Sequence, residues 1–329
     1  MGTIRWGIIG CGDVTEVKSG PALQKAEGSA LTAVMRRSGE LAKDYASRHG
    51  VPKWYDDAER LIADPEVDAV YVATPPSSHL QYALLAARAG KPVYVEKPMA
   101  RNTAECEAMI AACATAGVPL YVAYYRRAHE RFARIRELLA QGAIGQVRFV
   151  RTLQTGRVLA PEQASSGQLW RIDPKIAGGG LFVDLASHTL DVLDHLLGPI
   201  SDCTGIAANQ AGRYEAEDIV SGTYRFASGA IGTGTWCFSA YEGLDRNELI
   251  GSDGALVFPT FGDWYELHRA GGAPERFTVP NPQHVQQPLI QQIVDELRGR
   301  GRSSSTGQSA LRTNRVMDAL LQPYYGYPC

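Results

Sequence analysis

The chain has 329 residues, of which 45% are hydrophobic and 21% charged, and its formal net charge is −2. This length favours two domains, and a nearly neutral chain gives no reason to expect a nucleic-acid partner. The six cysteines form no C-x-x-C pair, so the spacing indicates neither a zinc site nor a disulfide framework. No apolar run reaches the ~18 residues of a membrane span, and the start lacks signal-peptide features. We therefore expect a cytoplasmic protein with no membrane partner.

Strand-like and helical segments alternate over the first part of the chain. Apolar runs suited to strands buried on both faces lie at 4–9, 30–35, 68–74, 91–96 and 118–124. The helical segments between them lie at 38–50, 78–90 and 103–117. This alternation predicts a doubly wound parallel sheet, a Rossmann domain, over residues 1–124.

Beyond residue 125, strand-like runs follow one another with few helices between them. They lie at 145–157, 202–209, 217–226, 229–238, 246–251, 255–258 and 263–268. Such a pattern predicts an α+β domain on a large, mostly antiparallel sheet over 125–329, which binds substrate. A last helix at about 308–322 is expected to pack back on the first domain. Few helices remain to cover the far sheet face, so we expect a homodimer or homotetramer.

A glycine turn directly follows the first strand in "GIIGCGDVT". Gly10 allows a tight turn, and Gly12 lets a pyrophosphate approach the backbone, where the next helix begins at Asp13 and Val14. Thr15 stands where a third glycine usually lies, so the fingerprint is incomplete. A purely structural turn would use the same residues, but the position at the start of a βαβ pattern favours dinucleotide binding.

The end of the second strand indicates which dinucleotide is bound. NAD-binding chains usually carry an acid there, whereas this chain has Arg36, Arg37 and Ser38. Guanidinium groups bind phosphate oxygens in a bidentate fork, so these residues favour the 2′-phosphate of NADP, with NAD still possible. The alternative is a pair of solvated arginines with Ser38 capping the next helix.

Two further strand ends are expected to meet beside the nicotinamide. Thr74 and Pro75 end the third strand, and Glu96, Lys97 and Pro98 end the fourth. Ligands of doubly wound sheets bind at the carboxyl ends of the strands. Lys97, held in place by the following proline, could exchange a proton with a substrate hydroxyl. A lysine that merely extends its amine into solvent from a strand end is the alternative.

A second group of candidate residues lies within "WRIDPKIAGGGLFVDLASHTLDVLDHLLG" (170–198). A flexible triple glycine leads into a helix on which Asp184 and His188 are four residues apart and share a face. The pair suits proton transfer, with Asp184 binding or orienting the substrate. Trp170 and Arg171 precede the glycines and are predicted to line the cleft, although a tryptophan buried in the core would look the same.

Other residues on that helix carry weaker signals. Asp191 and His195 continue the same face at later turns and are expected to be solvated. Histidine and aspartate both bind metals, but the segment lacks H-E-x-x-H and any nearby cysteine. We therefore predict no metal.

These motifs together resemble a known family. "GCGDVT", "EKPM", "YYRR", "WRIDPKIAGGG" and "DLASH" are similar to those of the glucose–fructose oxidoreductase/inositol dehydrogenase/MocA family, across essentially the whole chain. The resemblance implies that Lys97 is the catalytic or substrate-binding lysine and that its bond to Pro98 is often cis. Asp184 and His188 match the family's acid and histidine, although Ala186 replaces the usual glycine between them.

The resulting prediction is an NADP-preferring dehydrogenase or reductase. It would transfer a hydride between nicotinamide and a carbinol or carbonyl carbon of a sugar, polyol or related cyclic alcohol. The predicted cofactor-binding residues are Gly10, Gly12, Asp13, Val14, Arg36, Arg37, Ser38, Thr74, Pro75, His79, Glu96 and Lys97. The predicted catalytic residues are Lys97, His188 and Asp184, and substrate contacts are predicted for Lys97, Tyr125, Trp170, Arg171, Asp184 and His188.

Two alternatives come from other classes of function. A glycosidase of the same fold could oxidise its sugar transiently and recycle the bound nicotinamide. A non-enzymatic regulator could sense the cofactor without turning over a substrate. The presence of both Lys97 and His188 argues against the regulator, because a sensor needs neither.

Overall fold

A computed structural model describes residues 2–159 and 169–326, and its contacts divide the chain into two units. Unit 1 comprises Met1–Ala128 with Pro282–Leu311, and unit 2 comprises His129–Asn281 with Arg312–Cys329. Residues 282–311 were assigned to the second domain from sequence, whereas here they pack with the first. The reason is apolar burial, since Leu289 and Ile293 belong to a fully buried cluster of unit 1.

Unit 1 is built on a six-stranded sheet in the order β3-β2-β1-β4-β5-β6. All five strand pairs are parallel. The strands are β1 (Ile4–Ile9), β2 (Ser29–Met35), β3 (Lys53–Tyr55), β4 (Ala69–Val72), β5 (Val93–Val95) and β6 (Leu120–Val122). The strand order reverses between β1 and β4, which is where dinucleotides bind in this architecture. The predicted Rossmann-type sheet is confirmed, with β3 as an additional short edge strand.

Unit 2 is built on an eight-stranded sheet in the order β14-β13-β12-β11-β7-β10-β9-β8. Its strands are β7 (Val147–Thr155), β8 (Ile200–Ala208), β9 (Ile219–Phe226), β10 (Ile231–Cys237), β11 (Leu244–Gly251), β12 (Gly254–Phe258), β13 (Trp264–Arg269) and β14 (Glu275–Thr278). Every pair is antiparallel except β7 with β10. The predicted large, mostly antiparallel sheet is therefore confirmed.

Ten helices lie in the described residues, and several begin at a side-chain cap. They are α1 (Gly20–Lys25), α2 (Gly39–His49), α3 (Ala58–Ala63), α4 (His79–Arg88), α5 (Thr103–Thr115), α6 (Glu130–Ala140), α7 (Pro174–Ala177), α8 (Ser187–Leu197), α9 (Gln287–Leu297) and α10 (Gly307–Tyr325). The side chains of Ser38, Asp57 and Asn102 accept hydrogen bonds from the first turns of α2, α3 and α5. Helix α2 ends at Gly50, which has a left-handed backbone conformation.

The helical stretch Pro174–Leu197 carries most of the candidate residues of unit 2. By length and composition it could cross a membrane, with a mean hydropathy of 1.2, but 78% of its apolar window is buried inside the protein. A helix that is apolar on all sides is either a membrane span or a core helix. Here Leu190 and Leu193 pack in the main cluster of unit 2 together with Trp236 of the sheet. The burial accounts for the composition.

Candidate functional site

The glycine turn after β1 is closely packed at Gly10 and accessible at Gly12. Gly10 has φ +91°, and a Cβ there would lie 2.6 Å from the Thr74 Cγ2 atom, so only glycine fits. Gly12 is open instead, since its Cβ would have the Gly10 carbonyl oxygen, 4.0 Å away, as its nearest neighbour. A ligand can therefore approach the backbone at Gly12, where Asp13 is exposed and Val14 is half-buried.

Thr15 stands at the position of the usual third glycine and stabilises the turn through its side chain. The Gly12 N–H donates to the Thr15 Oγ1 atom (3.0 Å), and that hydroxyl donates to the Gly12 carbonyl (2.8 Å). Thr15 is fully buried and begins a π turn over Thr15–Ser19 that precedes α1. The Tyr45 hydroxyl donates to the Thr15 carbonyl (2.8 Å) and secures the turn from α2.

Arg36 and Arg37 follow β2 and are both exposed. Within the described residues, neither side chain has a hydrogen bond or an ion pair. Ser38 accepts a hydrogen bond from the Leu41 N–H (3.5 Å). It therefore caps α2, as the alternative interpretation of the sequence predicted. Arg36 lies close enough to the glycine turn for its charge to act on Cys11, although burial dominates and raises the pKa of that thiol to about 11. The open turn and two available guanidinium groups fit a dinucleotide with an anionic group on its ribose.

His79, a predicted cofactor-binding residue, lies in the interior of unit 1. The imidazole is fully buried, and both ring nitrogens lie within hydrogen-bonding distance of backbone carbonyls. The Nε2 atom is 2.7 Å from the Thr74 oxygen, and Nδ1 is 3.1–3.2 Å from the oxygens of Met99 and Pro98. Burial lowers the pKa of His79. The ring therefore joins the loop after β4 to the loop after β5 and leaves no surface for a ligand.

The loop after β4 is also fixed by its own side chains. Ser78 donates from its hydroxyl to the Thr74 Oγ1 atom (2.8 Å) and lies near the Pro75 carbonyl (3.0 Å). Thr74 and Pro75 themselves are half-buried at the carboxyl end of the sheet. The loop is therefore rigid where the sequence predicted a cofactor contact.

The loop after β5 presents Lys97 from a buried anchor. Lys97 is partly exposed, and its bond to Pro98 is cis, as the resemblance implied. The preceding Glu96 is only 7% exposed, and its Oε1 atom accepts hydrogen bonds from the Tyr71 hydroxyl and the Gln286 amide, each at 2.6 Å. The other oxygen accepts from the Lys97 N–H (3.1 Å). Through this hydrogen bond, Glu96 fixes the backbone of Lys97.

Gln286 is a residue that the sequence gave no reason to select. It is fully buried, and while its amide donates to Glu96, its Oε1 atom accepts from the Tyr94 hydroxyl (2.8 Å). Burial strongly raises the pKa of the Tyr94 and Tyr71 phenols, so both remain hydrogen-bond donors at neutral pH. The segment 282–311 therefore completes the support of Lys97. No local pattern around Gln286 could have revealed this.

In unit 2 the structure brings Trp170, Arg171 and Asp184 together. The Arg171 guanidinium lies over the Trp170 ring, 4.4 Å from its centroid, and its Nε atom is 3.2 Å from the Asp184 Oδ2 atom. Asp184 sits in a π turn, Phe182–Ala186, that precedes α8. A π turn bonds residues i and i+5, so the four-residue spacing to His188 is not one regular helical turn. Such turns often occur at functional sites.

His188 is 4% exposed and meets the edge of Phe261 at 5.6 Å between ring centroids. The loop that carries Phe261 is secured from several directions. The Asp245 carboxylate accepts from the Phe261 and Thr260 N–H groups at 2.8 and 2.9 Å. The Thr260 hydroxyl is 2.8 Å from that of Thr189, the neighbour of His188. Phe261 is a second site residue that sequence reasoning missed.

Two of the three glycines before Asp184 lie tightly against neighbouring residues, where the sequence suggested a flexible loop. The Gly180 N–H donates to both oxygens of Glu217, at 2.8 and 2.9 Å. A Cβ on Gly180 would lie 2.5 Å from the Glu217 carbonyl oxygen, and one on Gly179 would lie 2.5 Å from Val183 Cγ2. These glycines therefore serve a close approach between backbone segments rather than mobility.

The remaining acids of α8 serve the structure of unit 2. Asp191, expected to be solvated, is 1% exposed, and its carboxylate lies 3.5 Å from the Thr313 hydroxyl. Asp194 accepts two hydrogen bonds of 2.7 Å from Arg312, a bidentate pair on α10. His195 is partly exposed. Among residues 2–159 and 169–326, no cluster of three metal-ligating side chains occurs.

The predicted substrate residue Tyr125 lies in unit 1, in a short 3₁₀ turn after β6. It is 7% exposed, and the Arg126 guanidinium lies over its ring at 4.9 Å. Arg126 and Arg127 are themselves buried to a similar degree, which is unusual for arginine. The turn is therefore well packed, and the substrate role of Tyr125 stays a prediction.

Comparison with known proteins adds evidence that is independent of this geometry. A profile described as an oxidoreductase family with an NAD-binding Rossmann fold (GFO/IDH/MocA) matches residues 4–124. The GFO/IDH/MocA C-terminal domain matches residues 132–257. Oxidoreductase P35 of Formosa agariphila is 38% identical over 322 residues, which cover 96% of this chain and 97% of that protein.

Two further relatives have names that describe their reactions. The 1,5-anhydro-D-fructose reductase of Ensifer adhaerens is 32% identical over 256 residues, which cover 77% of this chain and 75% of that protein. The crystal structure of aldose-aldose oxidoreductase from Caulobacter crescentus, complexed with glycerol, has a TM-score of 0.84 and 30% identity. The match covers 97% of this chain and 97% of the Caulobacter crescentus chain.

A first prediction concerns the buried support of Lys97. Replacing Gln286 with leucine leaves the Glu96 carboxylate and the Tyr94 hydroxyl each without one partner. We expect the free energy of unfolding, measured by urea denaturation, to fall by about 2–4 kcal/mol, because buried polar groups left unsatisfied cost about 1–3 kcal/mol each. Tyr94→Phe removes only one hydroxyl and should cost about 1 kcal/mol. Equal stability of the Gln286→Leu variant and the parent would contradict the proposed support.

Proposed function

Because the chain belongs to the GFO/IDH/MocA oxidoreductase family, we propose that it is an NADP-preferring enzyme acting on a sugar, polyol or related cyclic alcohol. The family and the oxidoreductase class agree with the prediction from sequence. The proposed reaction transfers a hydride between nicotinamide and a carbinol or carbonyl carbon. The observation that carries this proposal is the carboxyl end of the unit 1 sheet, where the open turn at Gly12 follows β1 and the supported Lys97 follows β5, with only β4 between these strands.

The substrate class is supported by the named relatives. An anhydro-sugar reductase and an aldose–aldose oxidoreductase each share at least 30% identity with this chain. Both names describe carbohydrates whose reacting carbon carries a hydroxyl or a carbonyl group. The Asp184 carboxylate and the Arg171 guanidinium beside Trp170 suit a hydroxyl-rich ligand, because such a ligand both donates and accepts hydrogen bonds.

The preference for NADP is supported by charge. Arg36 and Arg37 are exposed after β2, where an acid would select the 2′-hydroxyl of NAD. Neither guanidinium has a partner within the described residues, so binding a phosphate breaks no existing ion pair. Arginine binds such a group through two parallel hydrogen bonds.

We assign the proton chemistry to Lys97, with help from His188. When bound, the nicotinamide supplies the hydride chemistry. In the oxidative direction the Lys97 Nζ atom would take the hydroxyl proton as the C–H bond breaks, and in reduction it would return it. Asp184 would bind a substrate hydroxyl, oriented by its pair with Arg171. Glu96 fixes the lysine backbone and does not itself react.

We further propose a homo-oligomer formed through the outer face of the unit 2 sheet. Phe149 of β7 pairs with Ile231 of β10, and their side chains are 43% and 51% exposed. Leu153 on β7, 37% exposed, lies four residues after Phe149 on the same face. A second copy of the chain would cover this apolar patch.

We also propose a cytoplasmic location, supported by the unpaired state of the five described cysteines.

The function itself is tested by a substrate screen. Sugars, polyols and cyclic diols are incubated with NADP⁺ and NAD⁺, and the absorbance of the reduced cofactor is followed. We expect net NADPH formation with at least one carbohydrate. Release of sugar without net NADPH would instead indicate a hydrolase that recycles its cofactor. Cofactor binding without any turnover would indicate a regulator.

The second prediction concerns the cofactor. Arg37→Ala should weaken NADPH binding about 10- to 100-fold, because one charge-assisted contact is worth about 1.5–3 kcal/mol, and should leave NADH binding unchanged. Calorimetric titration measures both. Lys43→Ala removes an exposed cation from α2 and serves as the matched control. Equal affinities of the parent for NADPH and NADH would refute the assignment of the arginines.

The third prediction concerns Lys97. Lys97→Ala should lower kcat about 100- to 10,000-fold, the range typical of general acid–base groups, while NADPH affinity changes by less than about tenfold. Lys97→Arg should fail as well, since a guanidinium cannot release its proton near neutral pH. His188→Ala should cause a similar or smaller loss. Melting temperatures are measured on the same preparations. A lower melting temperature with normal turnover per folded molecule would indicate a structural lysine instead.

The fourth prediction concerns assembly. Ile231→Glu places a charge in the exposed apolar patch and should convert the oligomer to a monomer at micromolar concentration, as measured by light scattering. Leu41→Glu, at a 45% exposed leucine on α2, is the control and should leave the mass unchanged. A monomeric parent protein would overturn the proposal.

A further inference from the structure

Glu217 is a buried acid that the proposed chemistry does not use directly. Its side chain is fully buried immediately before β9. Both carboxylate oxygens accept from the Gly180 N–H, and the Oε2 atom also accepts from the Tyr325 hydroxyl at 2.5 Å. The charge is therefore matched by donors from the glycine loop and from the end of α10.

The hydrogen bond to Gly180 leads directly to Asp184. The carbonyl of Gly180 accepts from the Val183 and Asp184 N–H groups, at 3.1 and 3.4 Å. The Gly180 N–H is thus bound by Glu217, while the Gly180 carbonyl binds N–H groups of the π turn that carries Asp184. The close approach of Gly180 to the Glu217 carbonyl leaves this segment little freedom to shift.

We propose that the charged carboxylate of Glu217 is a positioning residue for the reaction, which places Asp184 by holding the Gly180 N–H. This inference rests on the proposed function, because it assumes that Asp184 binds the substrate. Displacement of a substrate-orienting group by about 1 Å can cost as much as 100-fold in rate. A carboxylate accepts these hydrogen bonds more strongly than a neutral side chain does, so a neutral side chain should hold the loop less firmly.

The surroundings of Glu217 make this positioning sensitive to pH. Burial raises the pKa of Glu217 to about 7, the Tyr325 and Gly180 hydrogen bonds oppose that rise, and the neighbouring Asp218 adds to it. Glu217 also acts electrostatically on the Tyr214 and Tyr324 phenols, whose pKa values are raised mainly by burial. The Asp218 carboxylate accepts from the N–H groups of Gln210 and Ala211. The Glu217 carboxyl therefore changes charge near neutral pH.

The first test is the pH dependence of kcat/KM with the best carbohydrate from the screen. The parent should gain activity as pH rises through about 7, and Glu217→Gln should lack that rise. At pH 8 the variant should be about 10- to 100-fold slower than the parent, and near pH 5.5 the two should converge. Glu215→Gln makes the same chemical change at an exposed position two residues away and should follow the parent. Activity of Glu217→Gln within twofold of the parent at pH 8 overturns the proposal.

The second test needs no substrate. Hydrogen–deuterium exchange at pH 8 should be faster in residues 178–188 of Glu217→Gln than in the parent, and unchanged around Gly10 and Gly12. Unchanged exchange in 178–188 overturns the proposal. If no alcohol is oxidised by the parent, the proposed function fails, while this measurement still decides whether Glu217 holds the Asp184 turn.

A third measurement guards against a variant that folds poorly. Tyr325→Phe keeps the carboxylate and removes one donor to it, which should move the rise in kcat/KM to a higher pH. An unchanged profile would overturn the proposal. The free energy of unfolding should change with pH in the opposite direction to kcat/KM. Because the folded pKa of Glu217 lies above its ordinary 4.5, its stabilising contribution is complete below pH 4.5 and is lost as pH rises through about 7. Glu217→Gln should lack this decline.

Discussion

The need to match buried carboxylates with donors organises both groups of candidate residues. In unit 1, Glu96 receives the Tyr71 hydroxyl and the Gln286 amide, and in unit 2, Glu217 receives the Gly180 N–H and the Tyr325 hydroxyl. An unmatched buried charge is too costly to keep, so each acid must recruit partners that are remote in sequence. Glu96 binds the backbone N–H of Lys97, and Glu217 binds that of Gly180, four residues before Asp184.

The two arrangements differ in what they hold. Glu96 precedes Lys97 and accepts its N–H, so it fixes the residue next to it. Glu217 acts through Gly180, whose carbonyl accepts from the Asp184 N–H. The second arrangement is destabilising as pH rises, since burial raises the pKa of Glu217 to about 7 and the carboxylate forms at the expense of folding free energy. Proteins commonly retain such costs where function depends on them.

The sequence was most informative where structure is local. Five of the six strands of unit 1, the turn at Gly10 and the cap at Ser38 each depend on residues a few positions apart, and these features were predicted. It was least informative for contacts over long separations. Glu96 and Gln286 are 190 residues apart, and Gly180 and Glu217 are 37 apart. No periodicity or spacing records such a contact.

The same distinction applies to two groups of residues whose surroundings the sequence did not reveal. His79 and the glycines before Asp184 were judged by residue type, as a polar side chain near a ligand and as a flexible hinge. In the folded chain the His79 ring is enclosed by three carbonyl oxygens, and the glycines are small because Glu217 and Val183 lie against them. In both places a residue chosen for its chemistry serves to fix the backbone. The groups left exposed at the carboxyl end of unit 1, above all Arg36 and Arg37, are then those that can still bind a ligand.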